Sequence, residues 1–320
     1  MRDSRRPPGP VELVVFGEFF LEMVFYEVAQ APRFGVEVRA GQFSETPGGG
    51  VATTSMVASR LGTPTAAVTR VGRDALRQES WSRIRAAGVD TSASEIHPQA
   101  STAVTVCVAH RRERMMVTWD PINRNLERLI ERPAVQAILR RARHLHLACS
   151  LNEPRCWLPI LDRLREKTIS ISADIGWNPT HFPSKDLRDL LGRLDFIFPN
   201  EIEARALTGQ VRVSEAVRTL SGWMKWPVVK LGRRGSLVAV EGKILRAPAL
   251  QVRVIDATGA GDAFNGGFLH GYLHGWNWMD CLLAGNVCGA LATSGPGGSA
   301  DLPDAGRLAR LMKSLAGRRA

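Results

Sequence analysis

The chain has 320 residues and 44% of them are apolar, enough to bury the core of one large α/β domain or of two ordinary ones. No apolar run approaches the roughly 18 residues of a membrane span. The apolar segment near the N-terminus carries Glu18 and Glu22, which a signal peptide would not. The five cysteines form no C-x-x-C pair and are typical of reduced core residues. These features predict a cytoplasmic protein without a membrane partner.

The net charge of +11 raises the question of a nucleic-acid partner. Most of the positive charge comes from 36 arginines, which are scattered along the chain next to acids or on predicted helix faces. The densest cluster, at residues 111–114, is interrupted by Glu113 and is typical of a hairpin tip. The sequence shows neither zinc-finger spacing nor aromatic residues regularly interleaved with basic ones. We therefore expect a solvated basic surface and no nucleic acid, with a role in binding an anionic substrate or nucleic acid as the alternative.

The predicted elements begin after a basic, proline-rich stretch over residues 1–10, which we expect to be a disordered tail. Residues 11–16 form a short apolar strand that ends at Gly17. Residues 33–47 alternate polar and apolar side chains, which indicates an exposed hairpin. Further elements are a helix, a strand, a second helix and an antiparallel strand pair, at 48–61, 65–72, 74–87, 102–109 and 114–119.

Beyond residue 140, strands and helices alternate. The strands are predicted at 144–149, 168–173, 195–199 and 227–231. The helices are predicted near 153–166, 184–192, 200–207, 260–275, 278–293 and 304–316. This rhythm predicts an α/β fold with a mainly parallel central sheet and helices on both faces. No repeat or flexible linker divides the chain, so we predict a single domain over 11–320, to which the segments 33–47 and 101–119 add a small β appendage.

The stretch DATGAGDAF at 256–264 carries the strongest chemical signal. The start of a helix presents backbone N–H groups without intrahelical partners, and its dipole favours an anion. Because Gly259, Ala260 and Gly261 are small, a phosphoryl group could approach these N–H groups without meeting a side chain. Asp262 would then lie beside the anion and could take a proton from an attacking hydroxyl. The alternative is structural, with an aspartate that caps the helix and glycines that permit a tight turn.

The same stretch resembles the second signature of the ribokinase-like (PfkB) carbohydrate kinases, and four other segments resemble motifs of this family. PGGGVATTSMVASRLG at 47–62 resembles its sugar-binding segment. PNEIEARALTG at 199–209 resembles its N-x-x-E segment, and VVKLGRRGS at 228–236 its nucleotide strand and loop. AGNVCGALATSGPGGSADLP at 284–303 resembles its adenine-side helix and loop. The resemblance covers nearly the whole chain and implies a ribokinase-like, Rossmann-type sandwich with a small β-sheet lid.

The resemblance implies a role for each matched residue. Asp262 is the implied general base, and the N–H groups of Gly259, Ala260 and Gly261 form the implied anion hole. The acceptor is implied to bind at Glu22, Gly48, Gly49 and Thr53. ATP is implied to bind at Asn200, Glu203, Lys230, Gly232, Gly235 and Asn286, with Glu203 holding Mg²⁺ through water. A monovalent cation such as K⁺ is implied at Asp256 and Thr258.

The residues alone leave structural alternatives open for three of these groups. Gly48 and Gly49 also suit the turn that starts a helix. Asn200 and Glu203, three residues apart, also suit a helix cap and a surface pair. Asp256 also suits an aspartate-initiated turn.

Three departures from the family pattern concern the acceptor. Glu22 stands where many relatives have aspartate, and Thr53 where they often have asparagine. ADIGWNP at 173–179 only loosely resembles the D-P-N-x-R stretch of fructokinase-type members. The sequence therefore predicts an ATP-dependent kinase that phosphorylates a hydroxyl of a sugar or sugar-like molecule, without naming that molecule. The alternatives are a nucleoside kinase and a non-catalytic protein that binds a ligand or nucleic acid. Because lid strands have unpaired edges, we also expect a homodimer.

Overall fold

The computed structural model describes residues 10–74, 76–110, 113–151, 153–176, 184–298 and 301–316. Outside the described residues lie residues 1–9 of the tail predicted over 1–10, the arginines at 111 and 112, and residues 177–179 of the loosely matched stretch 173–179. Within the described ranges, no helix is both long enough and apolar enough to cross a membrane.

The strands and helices are numbered here in chain order. The described strands are β1 (Leu13–Gly17), β2 (Phe20–Val28), β3 (Ala40–Gly48), β4 (Thr65–Val68), β5 (Arg70–Gly72), β6 (Glu95–His97), β7 (Val104–His110), β8 (Glu113–Trp119), β9 (His144–Ala148), β10 (Ser170–Asp174), β11 (Phe196–Ile197), β12 (Trp226–Lys230), β13 (Ser236–Val240) and β14 (Lys243–Ala247). The described α-helices are α1 (Gly50–Arg60), α2 (Leu76–Ala86), α3 (Pro133–Leu139), α4 (Pro154–Arg165), α5 (Lys185–Leu191), α6 (Glu201–Thr208), α7 (Val213–Ser221), α8 (Ala260–Leu273), α9 (Trp278–Ala292) and α10 (Ala305–Ala316).

An eight-stranded sheet forms the centre of the molecule, in the order β4-β1-β9-β10-β11-β12-β13-β14. The strands from β4 to β12 are parallel, whereas β13 runs antiparallel to both of its neighbours, β12 and β14. The apolar run of β1 is buried along its whole length, as a strand covered on both faces requires. The mainly parallel sheet confirms the predicted fold class.

Helices cover both faces of this sheet and divide the core into two clusters. Val14 and Phe16 of β1 pack in the cluster that contains buried residues of α3, α4, α5, α6 and α7. Leu13 and Val15, which alternate with them, pack in the cluster that contains buried residues of α1, α8 and α9. Side chains alternate between the faces because the period of a strand is two residues. Helices therefore bury both faces of the central sheet, as predicted.

The predicted elements beyond residue 140 are all present and differ from the prediction only at their ends. The prediction of a single strand over 65–72 was wrong, because Thr69 separates β4 in the central sheet from β5, which pairs with β6 in a separate two-stranded sheet. The sequence prediction did not include α3, α7 and the antiparallel hairpin β13–β14.

The small four-stranded sheet, in which β2 and β7 pair in parallel, differs from the prediction in how its first hairpin is built. Its strand order is β3-β2-β7-β8, and β2 pairs antiparallel with β3. Hairpin pairing within 33–47 was therefore wrong, since β3 pairs with residues 20–28, and 33–39 contribute only a bridge between Arg33 and Val36. The pair β7 and β8 is antiparallel, as predicted.

Candidate active site

A cavity of about 570 Å³ opens where the parallel strands of the central sheet end. Ligand pockets typically have volumes of roughly 300–1,000 Å³, so this cavity has the size of a small-molecule site. Its wall contains all the residues predicted for catalysis and nucleotide binding: Asp262, Gly259, Ala260, Gly261, Asn200, Glu203, Lys230, Gly232, Gly235 and Asn286. The fold thus brings together residues from distant segments of the chain.

The start of α8 forms one side of the cavity. Gly259 caps the helix with φ 68°, in the left-handed region that favours glycine. The N–H groups of a first helical turn have no intrahelical acceptors, so this helix start suits an anion. Asp262 lies in the same first turn. The Thr54 hydroxyl on α1 donates a hydrogen bond to the Asp262 carbonyl at 3.0 Å, which ties the two helices together beside the cavity.

Gly50 leaves the space that the Asp262 carboxylate occupies. A Cβ atom at residue 50 would lie 3.0 Å from Asp262 Oδ1 and 2.9 Å from Ala148 Cβ. Ala148 lies at the end of β9, next to Ser150 and Glu18 in the cavity wall. The Asp262 carboxylate therefore lies against this part of the wall, and the preceding residue, Gly261, lies against Lys230.

Asn200 and Glu203 form a capping box at the start of α6. The Asn200 side chain accepts a hydrogen bond from the Glu203 N–H at 2.9 Å, and Glu203 Oε2 accepts one from the Asn200 N–H at 2.8 Å. This cap is the structural alternative that the sequence left open, and the structure contains it. Both residues also line the cavity. Burial raises the pKa of Glu203, and the Asp174 carboxylate raises it further.

Lys230 ends β12 and points its ammonium at Asp174, which ends β10. The Lys230 Nζ to Asp174 Oδ2 distance is 2.7 Å, and Asn265 Nδ2 donates to the same oxygen at 2.7 Å. Burial by itself would lower the pKa of Lys230, but the Asp174 carboxylate holds it above its ordinary value. Sequence reasoning assigned no role to Asp174 or Asn265. The available signal was an acid at the carboxyl end of a predicted parallel strand, where ligands bind in such sheets.

The cavity wall also contains several apolar side chains. They are Leu250, Val252, Val254, Phe264 and Ala290, a lining suited to a flat, weakly polar group such as a nucleotide base.

Three of the predicted nucleotide residues shape this region through the backbone. Asn286 Nδ2 donates to the carbonyls of Ala247 and Pro248 at 3.3 and 3.0 Å and so fixes the chain after β14. A Cβ at Gly235 would lie 1.9 Å from the Ala247 carbonyl oxygen, so only glycine fits there. Gly232 has φ 57°, and a Cβ there would meet no atom within 4 Å. The packing of the hairpin therefore accounts for Gly235, and the backbone angle for Gly232.

The residues predicted to bind the acceptor lie beside the cavity and are not among the described residues that line it. Glu22 is buried in β2, and its carboxyl group occupies the space that a side chain at Gly48 would need, 2.3 Å from the Cβ position. Gly49 caps α1 with φ 81°, and a Cβ there would lie 2.3 Å from the Glu18 carbonyl oxygen. Thr53 is buried in α1, close to Gly259. The structure brings these residues together around the start of α1.

Glu18 lines the cavity although the sequence did not single it out as a site residue. It follows β1 directly, and its Oε1 accepts a hydrogen bond from the Ser150 N–H at 3.2 Å. Burial raises the pKa of the Glu18 carboxyl group. The missed signal was again an acid at the carboxyl end of a parallel strand.

Asp256 and Thr258, predicted to hold a monovalent cation, form a buried turn before α8. Asp256 Oδ1 accepts hydrogen bonds from the Thr258 N–H and hydroxyl at 2.9 and 2.8 Å. Asp256 Oδ2 accepts one from the Gly297 N–H at 2.8 Å. The turn therefore joins the start of α8 to the loop after α9, which is the structural alternative for Asp256. The K⁺ site stays a prediction.

Comparison with known proteins shows the family of the chain. Residues 11–305 match the sequence model of a family described as pfkB family carbohydrate kinase. The cytidine kinase of Thermococcus kodakarensis is 30% identical over 245 residues, which cover 75% of this chain and 84% of the relative.

Solved structures share the fold at lower identity. The ribokinase of Arabidopsis thaliana, complexed with ribose and ATP, has a TM-score of 0.79 at 22% identity and covers 95% of this chain and 99% of its own. A putative ribokinase II from E. coli, in complex with ATP and Mg²⁺, has a TM-score of 0.80 at 20% identity with the same coverage. At these identities the likeness establishes the fold.

Proposed function

Because the chain belongs to the pfkB family of carbohydrate kinases, we propose that it phosphorylates a hydroxyl group of a sugar or sugar-like small molecule with ATP. The observation that carries the proposal is the position of Asp262, in the first turn of α8 and in the wall of the cavity. A carboxylate there lies beside the N–H groups that suit a phosphoryl group, so it can take the proton of the attacking hydroxyl. The N–H groups of Gly259, Ala260 and Gly261 stabilise the charge of the transferred group.

The remaining cavity wall fits ATP and Mg²⁺. Its apolar side chains suit the base, and Lys230 suits the phosphates. Glu203 offers a carboxylate for a Mg²⁺-bound water, since Mg²⁺ keeps several waters and needs only one or two protein carboxylates besides the phosphates. When bound, Mg²⁺ neutralises charge on the phosphate oxygens.

The acceptor has to lie on the other side of Asp262, near Glu18 and the start of α1. Glu22 and Thr53 supply polar groups there, and the close packing at Gly48 and Gly49 brings the backbone near. The small sheet of β2, β3, β7 and β8 contacts this region through β2 and β3 and acts as a lid that excludes water.

A nucleoside is the second candidate acceptor. The relative with 30% identity is named cytidine kinase, so a ribose that carries a base is a reasonable alternative to a free sugar.

A screen for ADP release tests the proposed function. Purified protein is incubated with Mg-ATP and with sugars, sugar acids, polyols or nucleosides, with and without K⁺. We expect one class to stimulate ADP release and Asp262→Asn to abolish that stimulation. Stimulation by K⁺ would support a cation at Asp256 and Thr258. Absence of acceptor-dependent ADP across all classes would contradict the proposal and favour a binding protein.

We also propose a homodimer formed through the lid. Val117 and Trp119 of β8, an outer strand of this sheet, are 62% and 57% exposed, and Met115 and Met116 are also exposed. A second copy would cover these apolar side chains and the unpaired strand edge. Analytical ultracentrifugation should show a dimer that Val117→Glu converts to a monomer. A monomeric wild-type protein would contradict this proposal.

A further inference from the structure

Three polar side chains form a cluster at the floor of the cavity. Asp174 Oδ2 accepts hydrogen bonds from Lys230 Nζ and from Asn265 Nδ2, both at 2.7 Å. The side chains of Lys230 and Asp174 are only 14% and 17% exposed, and Asn265 is fully buried. The cluster joins β12, β10 and α8, the elements whose ends form the cavity.

The cluster places the lysine ammonium at the start of α8. A Cβ atom at Gly261 would lie 3.0 Å from Lys230 Nζ, so the ammonium is in contact with the first turn of the helix. The Lys230 backbone is held as well, because its N–H donates to the Pro199 carbonyl at 2.9 Å. The ammonium therefore lies beside the N–H groups that suit a phosphoryl group. Both the ammonium and the backbone of Lys230 are held in place.

A stabilising ion pair is a poor explanation for this arrangement. Removing a lysine and an aspartate from water is costly, and a buried pair often contributes no more stability than packed apolar side chains. Asn265 adds a further free-energy cost to folding, because its Oδ1 is buried without a partner among the described residues. An unpaired buried carbonyl costs free energy. A functional role explains why this arrangement is present.

We infer that Asp174 and Asn265 are positioning residues that hold the Lys230 ammonium against the start of α8, where it contacts the phosphoryl group in transfer. In the chemical step Asp174 acts through Lys230, and Asn265 acts through Asp174. A cation that is fixed before the reaction stabilises developing charge without reorganising. This inference deepens the proposed function and rests on it.

A double-mutant cycle with Asp174→Asn and Lys230→Met tests the inference. Two quantities are measured for each protein: kcat with the acceptor found by the ADP screen, and the affinity for a non-hydrolysable ATP analogue with Mg²⁺ by calorimetry. Asp195→Asn serves as the matched control, because Asp195, just before β11, pairs with Lys225 at the opposite end of the central sheet. Asn265→Leu tests the third member, and melting temperatures report folding.

The expected kcat values follow from the chain of contacts. Lys230→Met should lower kcat by about 100-fold, as loss of one preorganised donor does. Asp174→Asn should lower it by at least about tenfold, and Asn265→Leu by less. In the Lys230→Met background, Asp174→Asn should cause no further loss, because the residue it positions is gone. The control Asp195→Asn should stay within about twofold of the wild type.

The affinity for the ATP analogue should be partly restored in the double variant, a result that a merely structural role does not produce. Asp174→Asn alone should change the affinity by less than about threefold, since it loosens the cation but also removes a negative charge near the phosphates. Lys230→Met should weaken binding by at least about tenfold, because it leaves that negative charge unpaired. Adding Asp174→Asn to Lys230→Met should restore part of the affinity.

Two results would overturn the inference. One is a folded Asp174→Asn protein that keeps kcat within about threefold of the wild type. The other is additive loss of kcat in the double variant, which would give Asp174 a role of its own. If no acceptor is phosphorylated, the proposed function fails, whereas the binding cycle still decides whether the Asp174 charge acts through Lys230. Binding losses that add in the double variant would overturn the coupling.

Discussion

Two lysine–aspartate pairs link the same region of the central sheet at its opposite ends. Lys230 ends β12 and pairs with Asp174 at 2.7 Å, with side chains 14% and 17% exposed. Lys225 precedes β12 and pairs with Asp195, just before β11, at 3.9 Å, with side chains 59% and 21% exposed. The residue types are the same, but only the first pair faces the cavity.

The comparison shows that the direction of the strands decides what a pair of charges does. Parallel strands collect their carboxyl ends at one edge, where the adjoining loops leave a crevice for ligands. At that edge an ion pair is partly buried and interacts strongly, whereas at the other edge water screens it. The predictions below compare a change at the carboxyl ends with a matched change elsewhere, starting from the largest expected effect.

Asp262→Asn is expected to have the largest effect. General-base catalysis contributes roughly 10²–10⁴-fold, so turnover should fall by at least about a hundredfold. Melting temperature and ATP affinity should change little, because asparagine keeps the size and shape of aspartate and the backbone N–H groups at the start of α8 stay in place. The measurement is turnover, melting temperature and ATP affinity for both proteins.

Asp280→Asn is the matched control for this change. Asp280 is also an acid in the first turn of a helix, α9, but lies outside the cavity wall. Its variant should keep full turnover. A folded Asp262→Asn protein with more than about a tenth of wild-type activity would rule out the role of Asp262 as base.

Glu22→Gln should weaken use of the acceptor by roughly 1–3 kcal/mol, because charge-assisted hydrogen bonds to its hydroxyls would be lost. The affinity for ATP should barely change. Steady-state kinetics with each substrate varied would measure both effects. Glu12→Gln, at the amino end of β1 next to Arg143, is the control and should leave kinetics unchanged. Equal losses in ATP binding and thermal stability would identify Glu22 as a structural residue.

Gly50→Ala should lower kcat by about tenfold, because the added methyl group would displace the Asp262 carboxylate or Ala148 by a few tenths of an ångström. Gly192→Ala is the control, since its Cβ would meet no atom closer than 3.5 Å. Rates and melting temperatures of the two variants should be compared directly. If both variants match the wild type in kcat, Gly50 does not position the base.

Lys225→Met is expected to have the smallest effect. Pairs at the surface contribute about 0–1 kcal/mol, so the free energy of unfolding in urea should change by less than about 1 kcal/mol and turnover should not change. Added salt should change the free energy of unfolding of this variant only slightly. A loss of turnover comparable to that of Lys230→Met would show that the two lysine–aspartate pairs do not differ in function despite their different burial.

Much of the fold was predictable because local patterns decide it. Alternating apolar strands and helices predict a parallel sheet covered on both faces, and the helices beyond residue 140 lie where apolar periodicity placed them. The hairpin β13–β14 was missed because its turn carries Glu241, with φ 50°, before Gly242. Type I′ turns usually have asparagine or aspartate at that position, so the usual signal was absent.

The first lid hairpin was mispredicted for a different reason. Alternation within 33–47 suggested that this segment pairs with itself. The partner of β3 is β2, whose apolar residues follow β1 after only two residues. Which of two compatible strands pairs with a third depends on contacts distant in sequence, and local alternation does not contain that information.

The amino-acid sequence by itself determined the alternation of strands and helices and the family, and it carries the prediction that Asp262 and the small residues before it form an anion-binding helix start. These properties depend on residue periodicity and on local backbone chemistry, which short segments carry. Only the tertiary structure decided that Asp174 and Glu18 line the cavity, that Asn265 donates a hydrogen bond to Asp174, and that Lys230 contacts Gly261. Those contacts join segments far apart in the chain. A parallel sheet brings the carboxyl ends of its strands together only after all of its strands have paired in the correct order.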